Sequence, residues 1–96
     1  MSTRAPSNVR HPHVWRRPGV CGGRPVIRGT RIAVGLVVEH GLRGGATPEE
    51  MLRAWPHLTL AQIYDALSFY YDHKAEIDTD LESLAGQWET ARKRAQ

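Results

Sequence analysis

The chain has 96 residues, a net charge of +3 at neutral pH and a single cysteine. A chain of this length forms one small domain with a thin hydrophobic core, and one cysteine excludes an internal disulfide, so we expect a cytoplasmic protein. No apolar run approaches the roughly 20 residues of a membrane-spanning helix, and the polar, basic N-terminus lacks the apolar segment of a secretory signal.

The charge is divided unevenly along the chain. Residues 1–31 contain seven arginines and no acidic residue, a charge of +7, whereas residues 32–96 carry a charge of −4. An acid-free arginine segment beside an acidic body suggests a polyanionic ligand such as nucleic acid. The alternative is a solvated basic tail in which arginine replaces lysine for reasons of base composition.

The N-terminal third is predicted to contain an arm and a small β-ribbon. Residues 1–12 lack hydrophobic periodicity and are predicted to be a disordered basic arm. Residues 13–15 could form a short strand, and residues 25–27 and 30–34 are predicted to form two strands around Arg28-Gly29, where glycine supplies the positive φ of a hairpin turn. His11 and His13 with Cys21 could bind a metal, but a flexible polar arm is the better interpretation.

A first helix is predicted over residues 35–43, with Val34, Val37, Val38 and Leu42 on one side and Gly44-Gly45 at its end. Residues 47–73 then predict two further helices joined by a tight turn. Each begins with a capping box, Thr47-Pro48-Glu49-Glu50 and Thr59-Leu60-Ala61-Gln62, and Pro56 stops the first of them. Helix, tight turn, longer helix is the outline of a helix-turn-helix, so DNA is the first partner to consider.

The second helix of this pair is predicted to have one core face and one exposed face. A helical wheel places six residues on the core side, namely Leu60, Ile63, Tyr64, Leu67, Tyr70 and Tyr71. It places seven on the other side, namely Ala61, Gln62, Asp65, Ala66, Phe69, Asp72 and His73. Thr59, Ala61 and Gln62 in its first turn are the natural DNA readers, although Gln62 equally fits a purely capping role. The exposed acids Asp65 and Asp72 would repel phosphate, so the arginines must supply most of the attraction.

A last helix is predicted to begin near Thr79, where Thr79-Asp80-Leu81-Glu82 forms a third capping box. Ile77, Leu81, Leu84 and Trp88 form its apolar stripe. Phe69 suggests a protein interface or a seat for this helix, and core packing against this helix is the alternative. The scattered histidines and the single cysteine assemble no nucleophile, base and oxyanion site, so we expect neither an enzyme nor a cofactor.

The segment Cys21-Gly22-Gly23-Arg24-Pro25-Val26-Ile27-Arg28-Gly29-Thr30-Arg31-Ile32-Ala33-Val34 resembles the signature of the family known as domain of unknown function 433. Further family elements follow in the same order, namely Gly45 to Glu50, Trp55-Pro56, Leu58-Thr59 and Ile63 to Leu67. The resemblance implies a small helix-turn-helix protein, commonly encoded beside a toxin of PIN-like nuclease fold. It further implies a VapB-like antitoxin that neutralises the toxin and represses its own operon.

The sequence therefore predicts a mainly α protein: a disordered basic arm (1–12), a β-hairpin plus helix-turn-helix domain with a three-helix core (13–75) and a C-terminal amphipathic helix (76–96). We expect a homodimer that binds double-stranded operator DNA and a PIN-like toxin. Its predicted DNA contacts are Arg16, Arg17, Arg24, Arg28, Thr30, Arg31, Thr59, Ala61 and Gln62, and its predicted partner interface is Phe69, Leu81, Leu84 and Trp88. A protein-interaction adaptor that does not bind DNA and an RNA-binding protein remain the alternatives.

Overall fold

The computed structural model describes residues 10–83. In chain order it contains strand β1 (Val14–Trp15), a 3₁₀ turn (Cys21–Gly23), strand β2 (Val26–Ile27), helix α1 (Val34–Val38) with a π-helical turn (Glu39–Arg43), α2 (Pro48–Ala54) and α3 (Leu60–Asp72). A further helix, α4, begins at residue 74 and continues to residue 83, the last described residue. The predicted class, mainly α with a small N-terminal hairpin, is confirmed.

The pairing inside the hairpin differs from the prediction. β2 pairs antiparallel with the upstream strand β1, with Val14 opposite Ile27 and Trp15 opposite Val26. Residues 30–34 are not a strand: they contribute one isolated bridge, between Ala33 and Val26. The reason is that Ala33 is already the N-cap of α1, so the chain turns into a helix before a second ladder can extend.

The helix predicted over residues 35–43 is present, but its second half has π geometry. Val34, Val37 and Val38 are completely buried, as predicted. The placement of Leu42 on the same face is wrong, since that residue is 46% exposed. A π-helical turn holds more residues than an α-helical turn, so positions after Val38 fall out of step with an α-helical wheel.

Both capping boxes of the helical pair are confirmed. At the start of α2 the Glu50 amide donates to Thr47 Oγ1 at 3.1 Å, and the Thr47 amide donates to Glu50 Oε1 at 2.8 Å. At the start of α3 the corresponding distances between Thr59 and Gln62 are 3.2 and 2.7 Å. Because each box satisfies two otherwise unpaired backbone donors, these two helix starts are specified locally.

The buried face of α3 lies on a different side of the helix from the predicted one. Ile63 and Tyr70 are buried as expected, but Ala66 and Phe69, assigned to the exposed side, are buried too. Tyr64 and Tyr71, assigned to the core, are 53% and 60% exposed. Helix α3 therefore carries two apolar stripes, and contacts with distant segments decide which one is buried.

Helix α4 begins earlier than predicted. The Ile77 amide donates to the His73 carbonyl at 3.1 Å, so Thr79 lies inside the helix and does not cap it. Ile77 and Leu81 enter the same core as the hairpin and the other helices. Leu84 and Trp88 lie outside the described residues.

The burial of Phe69 and Leu81 corrects the predicted partner interface. Their residual exposures are 1% and 6%, so neither side chain is available to a partner, and the core alternative holds for Phe69. Within residues 10–83, no helix is long and apolar enough to cross a membrane.

Candidate nucleic-acid interface

The arginines among residues 10–31 divide into two groups, and each arginine of the first group lies within 4.0 Å of a carboxylate of the same chain. Arg16 forms a two-pronged pair with Glu76, with Nη2 to Oε1 at 2.9 Å. Arg24 lies 3.9 Å from Asp80, and Arg10 lies 4.0 Å from Asp72. The structure therefore uses Arg16 and Arg24, both predicted DNA contacts, to fasten the hairpin region to α4.

The pair between Arg16 and Glu76 perturbs both groups. The hydrogen bond from the guanidinium lowers the pKa of Glu76, and the same bond raises the pKa of Arg16. Both ions are favoured by the pairing, so releasing Arg16 to a phosphate would first require breaking it.

The second group comprises Arg17, Arg28 and Arg31, which are exposed. Within residues 10–83, none of the three forms an ion pair with a carboxylate. The guanidinium carbons of Arg17 and Arg28 lie 5.0 and 4.9 Å from the centroid of the Trp15 ring. We call Trp15, Arg17, Arg28, Thr30 and Arg31 the arginine–tryptophan cluster.

An open groove of about 350 Å³ runs through this cluster. It is lined by Trp15, Arg17, Val20, Gly29, Thr30 and Arg31. Guanidinium groups bind phosphate oxygens in a planar, two-pronged geometry, and an adjacent indole offers a surface for stacking. The groove therefore combines the two chemistries that a nucleic-acid backbone and its bases require.

A tight turn positions Arg28 and Arg31 around Thr30. The Thr30 amide donates to the Ile27 carbonyl at 3.0 Å, and Gly29 has a φ of 79°, a conformation that side-chain-bearing residues avoid. The Thr30 hydroxyl donates to the Ile27 carbonyl at 2.8 Å and accepts from the Ile32 amide at 2.9 Å. The Gly-Thr-Arg segment is thus a structural turn that presents two arginines, and the hydroxyl of Thr30 is already occupied.

A second loop, which contains Cys21, contacts the backbone of Arg31 beside the groove. Cys21 has an unusual positive φ of 49°, and its thiol donates to the Arg31 carbonyl at 3.2 Å. This contact joins the turn before β2 to the turn after it. The backbone around Arg31 is therefore held by two loops, which limits the freedom of the cluster.

The predicted readers at the start of α3 belong to a different element. The side chains of Thr59 and Gln62 are engaged in the capping box, and Ala61 is exposed. The structure thus shows the capping role of Gln62. Four of the predicted contacts, Arg17, Arg28, Thr30 and Arg31, lie together in the arginine–tryptophan cluster. The first turn of α3 contributes no residue to this cluster.

The N-terminal segment covers the acidic side of α3. His11 is 4% exposed, and its Nδ1 and Nε2 lie 3.3 Å from Asp65 Oδ1 and 2.7 Å from Asp72 Oδ2. The His13 amide also donates to Asp65 at 2.7 Å, and the hydrogen bond with His11 lowers the pKa of Asp72. The prediction that residues up to 12 are disordered is therefore wrong for His11, which two carboxylates hold in place.

Sequence reasoning missed Trp15 as the centre of the basic cluster. The available signal was the run Trp15-Arg16-Arg17, in which an aromatic residue is followed directly by two basic ones. Pattern alone could not separate Arg16 from Arg17, because their different roles depend on Glu76, which is distant in sequence.

These features define a small, mainly helical protein with a basic, tryptophan-containing groove on its N-terminal loops. Comparison with known proteins identifies its family. The family model described as a protein of unknown function (DUF433) matches residues 14–70, and the chain belongs to this family.

The chain is similar to the crystal structure of a DUF433 member protein from Anabaena variabilis ATCC 29413, with 32% sequence identity and a TM-score of 0.70, over 78% of this chain and 73% of that chain. No curated protein matches the chain.

Proposed function

We propose that this chain is a cytoplasmic nucleic-acid-binding antitoxin that binds its own operator DNA through the three arginines of the arginine–tryptophan cluster and neutralises a PIN-like nuclease toxin. The observation that carries the DNA-binding part is the separation of the arginines. Among the residues described, Arg10, Arg16 and Arg24 lie within 4.0 Å of carboxylates of α3 and α4. Arg17 and Arg31 instead line one open groove, and Arg28 lies against Trp15, which lines the same groove.

The unpaired arginines support phosphate binding on energetic grounds. An arginine that is already paired with a carboxylate must lose that partner before it contacts phosphate. Arg17, Arg28 and Arg31 have no carboxylate partner among residues 10–83 to lose, although Arg17 and Arg28 lie against the Trp15 ring. Release of the counterions condensed on DNA then drives association and makes it dependent on salt. Three unpaired guanidinium groups on two linked loops thus form a ready phosphate-binding surface.

The proposal shifts the expected contact from the helix-turn-helix to the loops. Helix α3 has no basic residue, and the carboxylates of Asp65 and Asp72 hydrogen-bond with His11 of the N-terminal segment. Basic loops and arms that track the phosphate backbone provide affinity without a recognition helix of high positive charge. In this proposal the first turn of α3 contributes at most a secondary contact.

The toxin-neutralising part rests on the resemblance to VapB-like antitoxins and on the charge distribution. Residues 32–96 carry a charge of −4, which favours a basic protein partner, while the N-terminal segment carries +7 for a polyanion. Co-expression with the product of an adjacent PIN-like gene tests this part, and the proposal expects growth to be rescued and the two proteins to co-purify.

A second candidate, an RNA-binding protein, is favoured by one specific observation. Trp15 is partly exposed and lies against the guanidinium groups of Arg17 and Arg28, and unpaired bases stack on indole rings and on guanidinium planes. Duplex DNA keeps its bases stacked inside the helix and makes no such use of an indole. The two candidates therefore predict different roles for the same side chain.

Fluorescence anisotropy distinguishes them. The protein is titrated into a labelled duplex from the region upstream of its own gene, an unrelated duplex, and a single-stranded RNA of the same length. Operator binding predicts preference for the upstream duplex and little effect of Trp15→Leu. RNA binding predicts preference for the single strand and a loss of roughly 10-fold or more in Trp15→Leu.

Charge reversal identifies the surface. Arg17→Glu, Arg28→Glu and Arg31→Glu are each expected to weaken the preferred complex by at least about tenfold. Arg53→Glu on the exposed side of α2 is the matched control, since it makes the same charge change elsewhere. Equal losses in all four variants would show a general charge effect and would contradict the proposed site.

A further inference from the structure

The second apolar stripe of α3 is exposed on the surface. Leu60, Tyr64 and Tyr71 are 36%, 53% and 60% exposed, and Leu67 on the same side is partly buried. Their spacing of four, three and four residues places all four on one side of the helix. Three large apolar side chains exposed in one line are unusual for a domain with a small core, and they mark an interaction surface.

The stripe is electrically neutral. No charged residue lies among its four members, and the acids of α3, Asp65 and Asp72, lie on another side of the helix in contact with His11. Neither a basic protein nor a nucleic acid would gain electrostatically from this surface. It fits a partner that is itself neutral and apolar.

The order of residues along the stripe is self-complementary. If a second α3 packs antiparallel across a two-fold axis midway between positions 65 and 66, Leu60 faces Tyr71 of the partner subunit. Tyr64 then faces Leu67 of the partner subunit. Each contact thus pairs a large tyrosine with a smaller leucine, which lets the two ridges interdigitate.

From this symmetry we infer that the stripe is the interface of a homodimer, with the α3 helices of two copies packed antiparallel. Residues 60–71 span about 16 Å of helix, so the contact is smaller than a standard permanent interface. The dimer is consequently weak, with a dissociation constant of roughly micromolar size. This inference does not depend on nucleic-acid binding.

Sedimentation equilibrium tests it on the full chain between about 1 and 100 µM. The expected result is a monomer–dimer equilibrium in which Tyr64→Glu and Tyr71→Glu each raise the dissociation constant more than about tenfold. Ala61→Glu is the control, because it places the same charge on an exposed position of α3 outside the stripe. Circular dichroism of each variant verifies that it is folded.

A mixing experiment tests the antiparallel register. Leu60→Lys and Tyr71→Glu chains are each expected to associate poorly alone, and their equimolar mixture is expected to recover association because opposite charges then face each other. A protein that stays monomeric at the highest concentration overturns the inference. So does a dimer that the stripe variants leave unchanged, or a mixture that recovers nothing.

Discussion

Replacing His11 with alanine is expected to release the N-terminal segment from α3 and to destabilise the fold. The imidazole is 4% exposed and packs edge-on to Phe69 with ring centroids 5.3 Å apart. Losing the buried ring removes about 1–2 kcal/mol of packing. Losing its hydrogen bond to the carboxylate of Asp65, whose side chain is 13% exposed, removes roughly 1.5–3 kcal/mol more.

Part of this loss is recovered. Asp65 keeps the bond from the His13 amide, and the more exposed Asp72 gains water. The expected net loss for His11→Ala is therefore about 2–4 kcal/mol of unfolding free energy, which lowers the Tm of a domain this size by roughly 10–20 °C.

Thermal unfolding followed by circular dichroism measures this effect, with urea unfolding as a second readout. His57→Ala is the matched control, because His57 lies exposed in the turn between α2 and α3 and should leave Tm unchanged. A Tm for His11→Ala within a few degrees of the parent would refute the reasoning, since it would mean that the docked N-terminal segment contributes nothing to stability.

Three further outcomes follow from the same structure. Gly44→Ala should cost about 2–3 kcal/mol in urea unfolding, because its Cβ would lie 2.7 Å from the His40 carbonyl oxygen. Gly41→Ala should cost less, since the nearest atom to its Cβ would be the flexible end of Met51, at 2.9 Å. Thr59→Ala should cost about 1 kcal/mol by removing the cap of α3, and an unchanged urea midpoint would contradict that role. The pKa of Asp78 is lowered by its hydrogen bonds from Tyr70 and Lys74. The folded chain therefore binds fewer protons than the unfolded one, and stability should fall as pH drops below about 4. Asp78→Asn should reduce that fall in a series of Tm values measured against pH.

The sequence predicted the locally specified parts of this fold. The starts of α2 and α3 are correct because each depends on a threonine and a residue three positions later, and both partners are close in sequence. The same type of signal failed at Thr79. There the backbone of α4 was already helical from residue 74, and a capping pattern inside a helix has no unpaired donors to satisfy.

The buried face of α3 could not be predicted from periodicity alone. The helix has two apolar stripes, and hydrophobic spacing fits both equally well. The N-terminal segment determines which stripe is buried, because its His11 and Arg16 contact Phe69, which is more than 50 positions away in sequence. Such contacts cannot be recognised from the spacing of hydrophobic residues within α3.

The candidate site was predicted in part for a similar reason. The arginine-rich segment indicated a polyanion, and Arg17, Thr30 and Arg31 do line one groove, with Arg28 against Trp15 of the same groove. Which arginines remain unpaired depends on carboxylates in α3 and α4 that the chain brings close only when folded. Composition gave the charge of the segment but not its partners.

The most direct test of the central claim is the salt dependence of binding to the upstream duplex. The parent protein is compared with a triple variant, Arg17→Gln with Arg28→Gln and Arg31→Gln, over a range of salt concentrations. If the three arginines each neutralise one phosphate, the slope of log K against log salt should become shallower by about 2.7. An unchanged slope would contradict the claim that the arginine–tryptophan cluster binds the phosphate backbone.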